Sequence, residues 1–214
     1  MSFHTRRGRG RLLDVGCNEG RGLSLYAANG FQAEGLELNR VAAEAARRKG
    51  FVVYDVDIEA LRPSAPYDVV VLSNVLEHAL QPRAMLQAIR RVLAPGGALW
   101  ISLPNTRSAL RERFGPDWIN WHVPFHITHF DAARLSALLR DTGFETTATR
   151  SVTPALWWAQ SKIARDFPDA PRRQREPARV IPLMLRAMLL GAAERAAWNR
   201  AGRGDCLIVE ARRA

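Results

Sequence analysis

Short apolar runs alternate with amphipathic patterns along the first two thirds of the chain. Five apolar runs predict strands, at residues 11–16, 31–38, 51–57, 67–75 and 98–105. Apolar positions at helical spacing, bounded by capping residues and glycines, predict helices at residues 22–30, 39–50, 82–97 and 131–144. Two further strands are predicted at residues 144–152 and 205–213. Strands that alternate with helices through short loops indicate an α/β fold with a doubly wound, mostly parallel sheet.

A helical insertion is predicted between the last two strands, at residues 154–203. It contains Trp157 and Trp158, a Pro/Arg-rich linker at 168–177 and a helix at 180–198. Five apolar residues share one face of that helix: Leu183, Leu185, Met188, Leu189 and Ala192. This pattern fits a flap packed on the core, a lid, or a basic amphipathic helix in peripheral contact with a membrane or lipid through residues 154–200.

Length and composition favour one domain. A chain of 214 residues with 47% hydrophobic residues can bury a single core. We therefore expect residues 1–214 to form one domain, with a cofactor-binding core at 11–153, the insertion or lid at 154–203 and a final strand at 204–214. The sequence does not predict an oligomeric state.

Charge and cysteine content exclude several classes of protein. The net charge of +10 comes almost entirely from arginines scattered along the chain, without the basic and aromatic stripe that is typical of nucleic-acid binding. The two cysteines, Cys17 and Cys206, have no metal-ligand spacing. The segment after the basic N-terminus is too short for a signal peptide, and no apolar run is long enough to span a membrane. These features predict a reduced, cytoplasmic protein that does not act on nucleic acid.

The first strand runs into a glycine-containing loop, LLDVGCNEG, at residues 12–20. A dinucleotide-binding G-x-G-x-x-G pattern that starts at Gly16 would need glycines where Asn18 and Arg21 stand. Asp14 would also repel a phosphate and suits a cationic ligand. S-adenosylmethionine is such a ligand, because it carries an ammonium and a sulfonium group and no phosphate. Gly16 and Gly20 allow close approach of the backbone, and Asn18 tolerates a left-handed conformation.

Five segments in register resemble the motifs of class I S-adenosylmethionine-dependent methyltransferases, of the small-molecule group that includes ubiquinone-pathway O-methyltransferases. These segments are LLDVGCNEG, GLELN, YDVDIEAL, YDVVVLSNVLEHALQP and LAPGGALWISLPN. The resemblance covers residues 11–151 and, in addition, the last strand. It implies a Rossmann-like seven-stranded sheet of order 3-2-1-4-5-7-6, with the last strand antiparallel.

The resemblance also implies which residues bind S-adenosylmethionine. Glu37, followed by Leu38, matches the acid that binds the ribose hydroxyls, while Asp57 and Ile58 match the contacts to adenine. Ser73, Asn74 and Val75 match positions near the methionine part. The cofactor-binding residues implied in this way are Asp14, Gly16, Cys17, Asn18, Gly20, Glu37, Leu38, Asp57, Ile58, Ser73 and Asn74.

Each of these positions also has a simpler interpretation. Asp14 could cap the following turn, Glu37 could be a solvated acid, and Asp57 could cap a short helix. Cys17 is interpreted as a small loop residue and not as a nucleophile, because no base is near it in the sequence. Glu77 and His78 could form a polar helix start, and this capping role could coexist with contact to the substrate.

The segment WINWHVPFHITHF, at residues 118–130, groups three histidines with aromatic residues. Acidic or cysteine ligands are not grouped with them, so no metal is predicted. One hypothesis places this loop over the cofactor end of the sheet, where Trp118, Trp121 and Phe125 would form an apolar wall. The alternative is packing against the insertion. Under the first hypothesis a histidine removes the acceptor's proton: His126 is the favoured base, with His129 or His78 behind it.

The predicted activity is methyl transfer to a small-molecule hydroxyl. An N-P-P-[YF] tetrapeptide, which would favour amino-group methylation, is replaced by SNVL after the fourth strand. The rival hypothesis is a catalytically weak or inactive S-adenosylmethionine-binding or scaffold protein on the same fold, because the one or two helices that usually precede the first strand in the family do not precede residue 11. A dehydrogenase is a more distant alternative.

Overall fold

The apolar runs form a seven-stranded sheet in the computed structural model, which describes residues 3, 5–166 and 191–214. The strands are β1 (Arg11–Val15), β2 (Gln32–Leu36), β3 (Val53–Tyr54), β4 (Tyr67–Ser73), β5 (Leu93–Pro104), β6 (Phe144–Val152) and β7 (Cys206–Arg213). Their order is β3-β2-β1-β4-β5-β7-β6, with the last strand antiparallel. The predicted sheet and its Rossmann-like topology are confirmed.

Helices connect the strands as the helical periodicity predicts. Within the described residues they are α1 (Arg21–Ala28), α2 (Arg40–Arg47), α3 (Pro82–Val92), α4 (Ala109–Phe114), α5 (Ala132–Asp141), α6 (Ala155–Asp166) and α7 (Ala192–Arg200). Short 3₁₀ helices lie at Leu76–His78, Gly115–Asp117 and Ile119–Trp121. Asn39 caps α2, since its side chain accepts hydrogen bonds from the backbone N–H of Val41 at 3.0 Å and Ala42 at 3.2 Å. This confirms the predicted start of that helix.

The centre of the sheet is buried on both faces. Leu12 pairs with Val69, and Val15 pairs with Leu72, between the parallel strands β1 and β4. Consecutive residues in both strands are buried, although their side chains point to opposite faces. Both faces are therefore covered, and this explains why these strands are continuous apolar runs without polar alternation.

Two predicted boundaries are wrong. The helix predicted at 82–97 ends at Val92, because Leu93 leaves the helix and pairs with Tyr67 of β4 as the first residue of β5. The strand predicted at 51–57 is only two residues long, because β2 offers it only Gly35 and Leu36 as partners. Both corrections depend on pairing between strands, which local periodicity does not contain.

The contacts of the chain define two compact units. The first unit comprises Met1–Leu103, Ala132–Thr149 and Ile208–Ala214, and the second comprises Pro104–Asp131 and Arg150–Leu207. The core of the second unit consists of Leu110, Phe114, Trp118, Trp158 and Ala159. The single-domain organisation and the lid role of 154–203 stay predictions.

The predicted 154–203 insertion is described in part. It contains α6 and α7, whereas the linker at 168–177 and four of the five residues of the predicted apolar face lie outside the described residues. Among the described helices, none has both the length and the apolar character needed to cross a membrane.

Candidate functional site

The loop from β1 to α1 adopts left-handed backbone conformations at three positions. These are Gly16 with φ +72°, Asn18 with φ +49° and Gly20 with φ +77°. A Cβ at Gly16 would also lie 2.8 Å from Cγ2 of Val75, so this position needs glycine for both its conformation and its space. Asn18 occupies the left-handed region as predicted, which its short polar side chain permits.

Glu37 joins the end of β2 to this loop and to α2. Its carboxylate accepts hydrogen bonds from the backbone N–H of Asn18 at 2.9 Å and of Asn39 at 2.8 Å. The side chain is therefore oriented by two amide groups and is not a freely solvated acid. A carboxylate oxygen has two lone pairs, so each oxygen that is held in this way can accept a further hydroxyl donor.

Asp14 is a buried acid in the central strand. Its exposed fraction is 5%, and burial, with a contribution from the charge of Glu37, raises the pKa of its carboxyl to about 7. A cationic ligand group would offset the cost of burying this charge.

A cavity of about 160 Å³ opens at the carboxyl ends of β1 and β2. It is lined by Val15, Gly16, Leu36, Glu37, Leu38, Asp57, Ile58, Glu59, Val75 and Met85. Ligands of open parallel sheets bind at this edge. Five of the predicted cofactor-binding residues share this cavity: Gly16, Glu37, Leu38, Asp57 and Ile58. Val75, which the resemblance places near the methionine part, also lines the cavity. The sequence did not point to Met85, because an apolar lining residue carries no chemical pattern.

The end of β4 adds polar groups near the same loop. The hydroxyl groups of Ser73 and Ser102 lie 3.2 Å apart, and the backbone N–H of Asn74 donates to the carbonyl of Ser102 at 2.8 Å. Asn74 has φ +55°, and its Oδ1 is buried without a hydrogen-bond partner among the described residues. A buried acceptor of this kind can be satisfied by a ligand ammonium group.

Glu77 is a second buried acid, in the 3₁₀ helix that follows β4. It is 2% exposed, and neither carboxylate oxygen has a hydrogen-bond partner within the described part of the chain. Burial raises the pKa of Glu77 to about 7. The sequence left both a polar helix start and a contact to the substrate open for Glu77 and His78, and it gave no sign that Glu77 is buried.

Cys17 packs between the loop and β2. The thiol is buried, and a Cβ added to Gly35 would lie only 2.4 Å from its Sγ. Burial raises the pKa of this thiol to about 12, so its nucleophilic thiolate form is disfavoured. The residue therefore acts as a small packing group, as the sequence suggested.

A larger cavity of about 560 Å³ lies elsewhere on the first unit. Its lining residues are Leu61, Arg62, Pro63, Ser64, Ala65, Pro66, Arg91, Val92, Leu93, Pro95 and Arg213. These residues precede β4 or surround the start of β5, so the cavity lies at the amino ends of the strands. We assign the ligand site to the smaller cavity, because parallel sheets bind ligands at the carboxyl ends of their strands.

The predicted catalytic histidines are divided between the two units. His78 is exposed in the first unit, whereas His126 and His129 belong to the second. Nδ1 of His126 lies 2.7 Å from the backbone carbonyl of Asn120, and the ring of His129 lies 5.2 Å from that of Trp121. Their catalytic roles stay predictions.

The three residues of the predicted apolar wall have different surroundings in the second unit. Trp118 is buried and stacks edge to face on Trp121 at 5.2 Å, and both pack in the cluster that contains Trp158 of α6. Phe125 is instead 61% exposed. For the two tryptophans, therefore, packing against the insertion is the better interpretation, because their large apolar area is buried there.

The residues of the first unit fit S-adenosylmethionine. Glu37 and the small cavity suit an adenosine group, while Asp14 and Oδ1 of Asn74 are buried acceptors that suit an ammonium group. Gly16, in the left-handed loop between them, has no side chain that would prevent a ligand from approaching the backbone.

Comparison with known proteins identifies the family. Residues 2–149 match the family model described as a methyltransferase domain. A probable S-adenosylmethionine-dependent methyltransferase of Mycolicibacterium smegmatis is 34% identical over 147 residues, which cover 66% of this chain and 54% of that protein. The chain thus spans about half the length of this relative. A ubiquinone biosynthesis O-methyltransferase of Bordetella bronchiseptica is 30% identical over 156 residues, covering 66% of this chain and 65% of that one.

The fold has close counterparts among solved structures. A SAM-dependent methyltransferase from Archaeoglobus fulgidus superposes with a TM-score of 0.64 at 18% identity, covering 99% of this chain and 89% of that chain. At this identity the similarity supports the fold alone. Together with the family model, it implies S-adenosylmethionine as the cofactor. The chain belongs to the methyltransferase-domain family and has the Rossmann-like fold of the class I S-adenosylmethionine-dependent methyltransferases.

Proposed function

We propose that the protein transfers a methyl group from S-adenosylmethionine to a hydroxyl oxygen of a small molecule. The observation that carries this proposal is the grouping of Gly16, Glu37, Asp57 and Ile58 around one cavity at the carboxyl edge of the sheet. Family membership supports methyl transfer, and the name of the Bordetella relative supports a hydroxyl acceptor.

The chain's own residues hold the cofactor in this proposal. Glu37 accepts the ribose hydroxyls while the amides of Asn18 and Asn39 keep its carboxylate in place. Asp14 faces the ammonium group, whose charge lowers the cost of keeping the buried acid ionised. When bound, S-adenosylmethionine supplies a methyl group on a positively charged sulfur, with a neutral thioether as the leaving group.

The acceptor hydroxyl must lose a proton as its oxygen bonds to the methyl carbon. We assign this proton to Nε2 of His126, because Nδ1 is engaged by the carbonyl of Asn120. His129 and His78 are the secondary candidates. The carbon–sulfur bond breaks as the carbon–oxygen bond forms. On taking the hydroxyl proton His126 would become an imidazolium, so the positive charge that the sulfonium loses with its methyl group would end on the imidazole.

Two further features belong to the same proposal. The absence of a disulfide between the buried residues Cys17 and Cys206 supports a reduced, cytoplasmic setting. We also propose that residues 1–214 form one domain in which residues 154–203 are a lid that excludes water from the reacting groups. Peripheral lipid contact through residues 154–200 remains part of the hypothesis.

The experiment that tests the proposal combines binding and turnover. Calorimetry with S-adenosylmethionine should give saturable binding, and a panel of phenolic and aliphatic hydroxyl compounds should yield a methylated product detected by mass spectrometry. Absence of binding would refute the proposed methyltransferase activity. Binding without turnover on any acceptor would favour a scaffold role. Replacement of His126 with alanine should lower kcat by about 100-fold or more. Ile127→Ala, at an exposed position of the same loop, is the control.

If transfer to a hydroxyl is unchanged in both His126→Ala and His129→Ala, the assignment of the base is wrong. The same assay on His78→Ala then tests the remaining candidate. Product analysis also separates oxygen from nitrogen or carbon transfer, because the methylated atom is identified directly.

A further inference from the structure

Asp205 is a fully buried acid in the second unit, at the residue before β7. Three side chains donate hydrogen bonds to its carboxylate: Ser108 at 2.5 Å and Trp118 at 2.7 Å to Oδ1, and Asn120 at 2.8 Å to Oδ2. Burial raises the pKa of Asp205 to about 6, while these three hydrogen bonds act in the opposite direction. A buried carboxylate that accepts hydrogen bonds from three donors is held in one orientation.

The backbone of Asp205 is fixed as well. Its N–H donates to Oγ1 of Thr153 at 3.2 Å, and its carbonyl accepts the N–H of Asn105 at 2.9 Å. The carboxylate is therefore a fixed point to which Trp118 and Asn120 are tied. These two residues lie at the start of the histidine-containing segment 118–130.

Asn120 transmits this restraint to His126. Its side chain binds Asp205, and its backbone carbonyl lies 2.7 Å from Nδ1 of His126. A carbonyl can only accept, so Nδ1 must carry the proton. In the neutral ring the lone pair is then on Nε2, the opposite of the tautomer that predominates in free histidine.

We propose that Asp205 is a positioning residue that, through Asn120, holds His126 in the tautomer whose Nε2 accepts the acceptor's proton. This inference rests on the proposed function of His126 as the base. Asp205 itself touches no reacting atom in this arrangement. Its contribution is the orientation and the protonation pattern of the imidazole.

A reciprocal exchange tests the link between Asp205 and Asn120. In Asn120→Asp, two carboxylates would face each other across 2.8 Å, and their repulsion should displace residue 120 and its carbonyl. Adding Asp205→Asn restores one donor and one acceptor with the original net charge. Asp205→Asn alone is less informative, because the amide of Asn120 can turn to present its oxygen.

The tautomer is read without any reaction. Two-bond ¹H–¹⁵N spectra of protein with ¹⁵N-labelled histidine should show His126 protonated at Nδ1 in the wild type, and at Nε2 or in exchange in Asn120→Asp. The double variant should regain the wild-type pattern. Trp118→Phe removes a different donor to Asp205 and should leave the His126 tautomer unchanged. A wild-type His126 protonated at Nε2 would overturn the inference, as would an unchanged tautomer in Asn120→Asp.

Turnover provides the second measurement. Asn120→Asp should lower kcat by about 100-fold with little change in KM for S-adenosylmethionine, and the double variant should recover it. If Asn120→Asp does not fold, the wild-type spectrum and the double variant still decide the question. If the wild type shows the expected tautomer but methylates no hydroxyl, the O-methyltransferase proposal fails while the placement of His126 by Asp205 is supported.

Discussion

The backbone N–H of Asn18 donates a 2.9 Å hydrogen bond to Oε2 of Glu37, and this bond joins the loop after β1 to the end of β2. Oε1 of the same carboxylate accepts the N–H of Asn39, at the start of α2. The acid proposed to bind the ribose therefore also fixes the loop proposed to surround the methionine part. Loss of Glu37 should affect both parts of the site.

We expect Glu37→Gln to weaken binding of S-adenosylmethionine by about 30-fold, or ~2 kcal/mol, the scale of a hydrogen bond to a charged group. The glutamine amide would place a donor against the N–H of Asn18 or of Asn39. Isothermal titration calorimetry measures the change. Glu44→Gln, at an exposed position of α2, is the matched control and should leave the affinity unaltered. If Glu37→Gln binds S-adenosylmethionine within twofold of the wild-type affinity, Glu37 does not contact the cofactor.

The backbone of Asn18 has φ +49°, a left-handed conformation that glycine adopts easily and alanine does not. We expect Asn18→Gly to bind S-adenosylmethionine nearly as the wild type does. Asn18→Ala should lower the free energy of unfolding by ~1–2 kcal/mol, since alanine is strained in the left-handed region. It also loses the 2.7 Å bond from the N–H of Glu19 to Oδ1. Chemical denaturation and calorimetry measure the two effects.

Gly50→Ala is the control for strain alone. Gly50 has φ +89°, and a Cβ there would meet nothing within 4 Å. This variant should be destabilised by a similar amount and bind S-adenosylmethionine normally. Equal stability of Asn18→Ala and wild type would show that the loop does not depend on the left-handed conformation.

The parts of the molecule that follow from local pattern were predictable from sequence. Asn39 caps α2, and the runs around Leu12 and Val70 form buried parallel strands, because capping and periodicity act over a few residues. The positions of Glu37 and Asp57 came from the family resemblance. Their sharing of one cavity is consistent with it.

Features that depend on distant parts of the chain were not predictable. Asp205 receives hydrogen bonds from residues more than 80 positions earlier, and the sequence marks it only as the start of a strand. The burial of Glu77 and the pairing of Leu93 with Tyr67 likewise arise from tertiary packing. Tertiary contacts override local preference at these positions, and no window of neighbouring residues contains them.

The burial of Asp14 makes stability depend on pH. Its pKa is about 7 in the folded protein, against an ordinary value of 3.8 for an aspartate, so the folded state binds the proton more tightly than the unfolded state. The contribution of Asp14 to the free energy of unfolding therefore falls as pH rises from about 4 to about 7, by up to ~4 kcal/mol, and is constant above that range. Replacing Asp14 with asparagine removes the charge and, with it, this pH-dependent contribution to the free energy of unfolding.

We expect Asp14→Asn to be more stable than wild type at pH 8 and to lose that advantage by pH 4. Denaturant titrations at several pH values measure the difference, in which the contributions of other buried acids cancel. The ligand should stabilise the wild type strongly and Asp14→Asn weakly, because the ammonium group no longer meets a carboxylate. Asp55→Asn, at an exposed acid, is the control. An Asp14→Asn protein no more stable than wild type at pH 8 would contradict this account.

Gly35 and Cys17 form a further contact between β2 and the cofactor loop. A Cβ on Gly35 would lie 2.4 Å from Sγ of Cys17 and 3.1 Å from its Cβ, so Gly35→Ala must displace the loop or the strand. We expect this variant to lose about 1–3 kcal/mol of unfolding free energy. It should also bind S-adenosylmethionine less tightly, because Cys17 lies between Gly16 and Asn18. Cys17→Ala removes the sulfur and should restore much of both losses in the double variant.

The double-mutant cycle separates this contact from a general weakening of β2. If Gly35 matters only as a flexible residue in a strand, Cys17→Ala will not rescue Gly35→Ala, and the two stability changes will add. A negative coupling energy, with binding and stability recovered together, is the result expected from direct contact. Since Gly35 pairs with Asp14 across β1 and β2, the same substitution also reports on how firmly the sheet holds the buried acid.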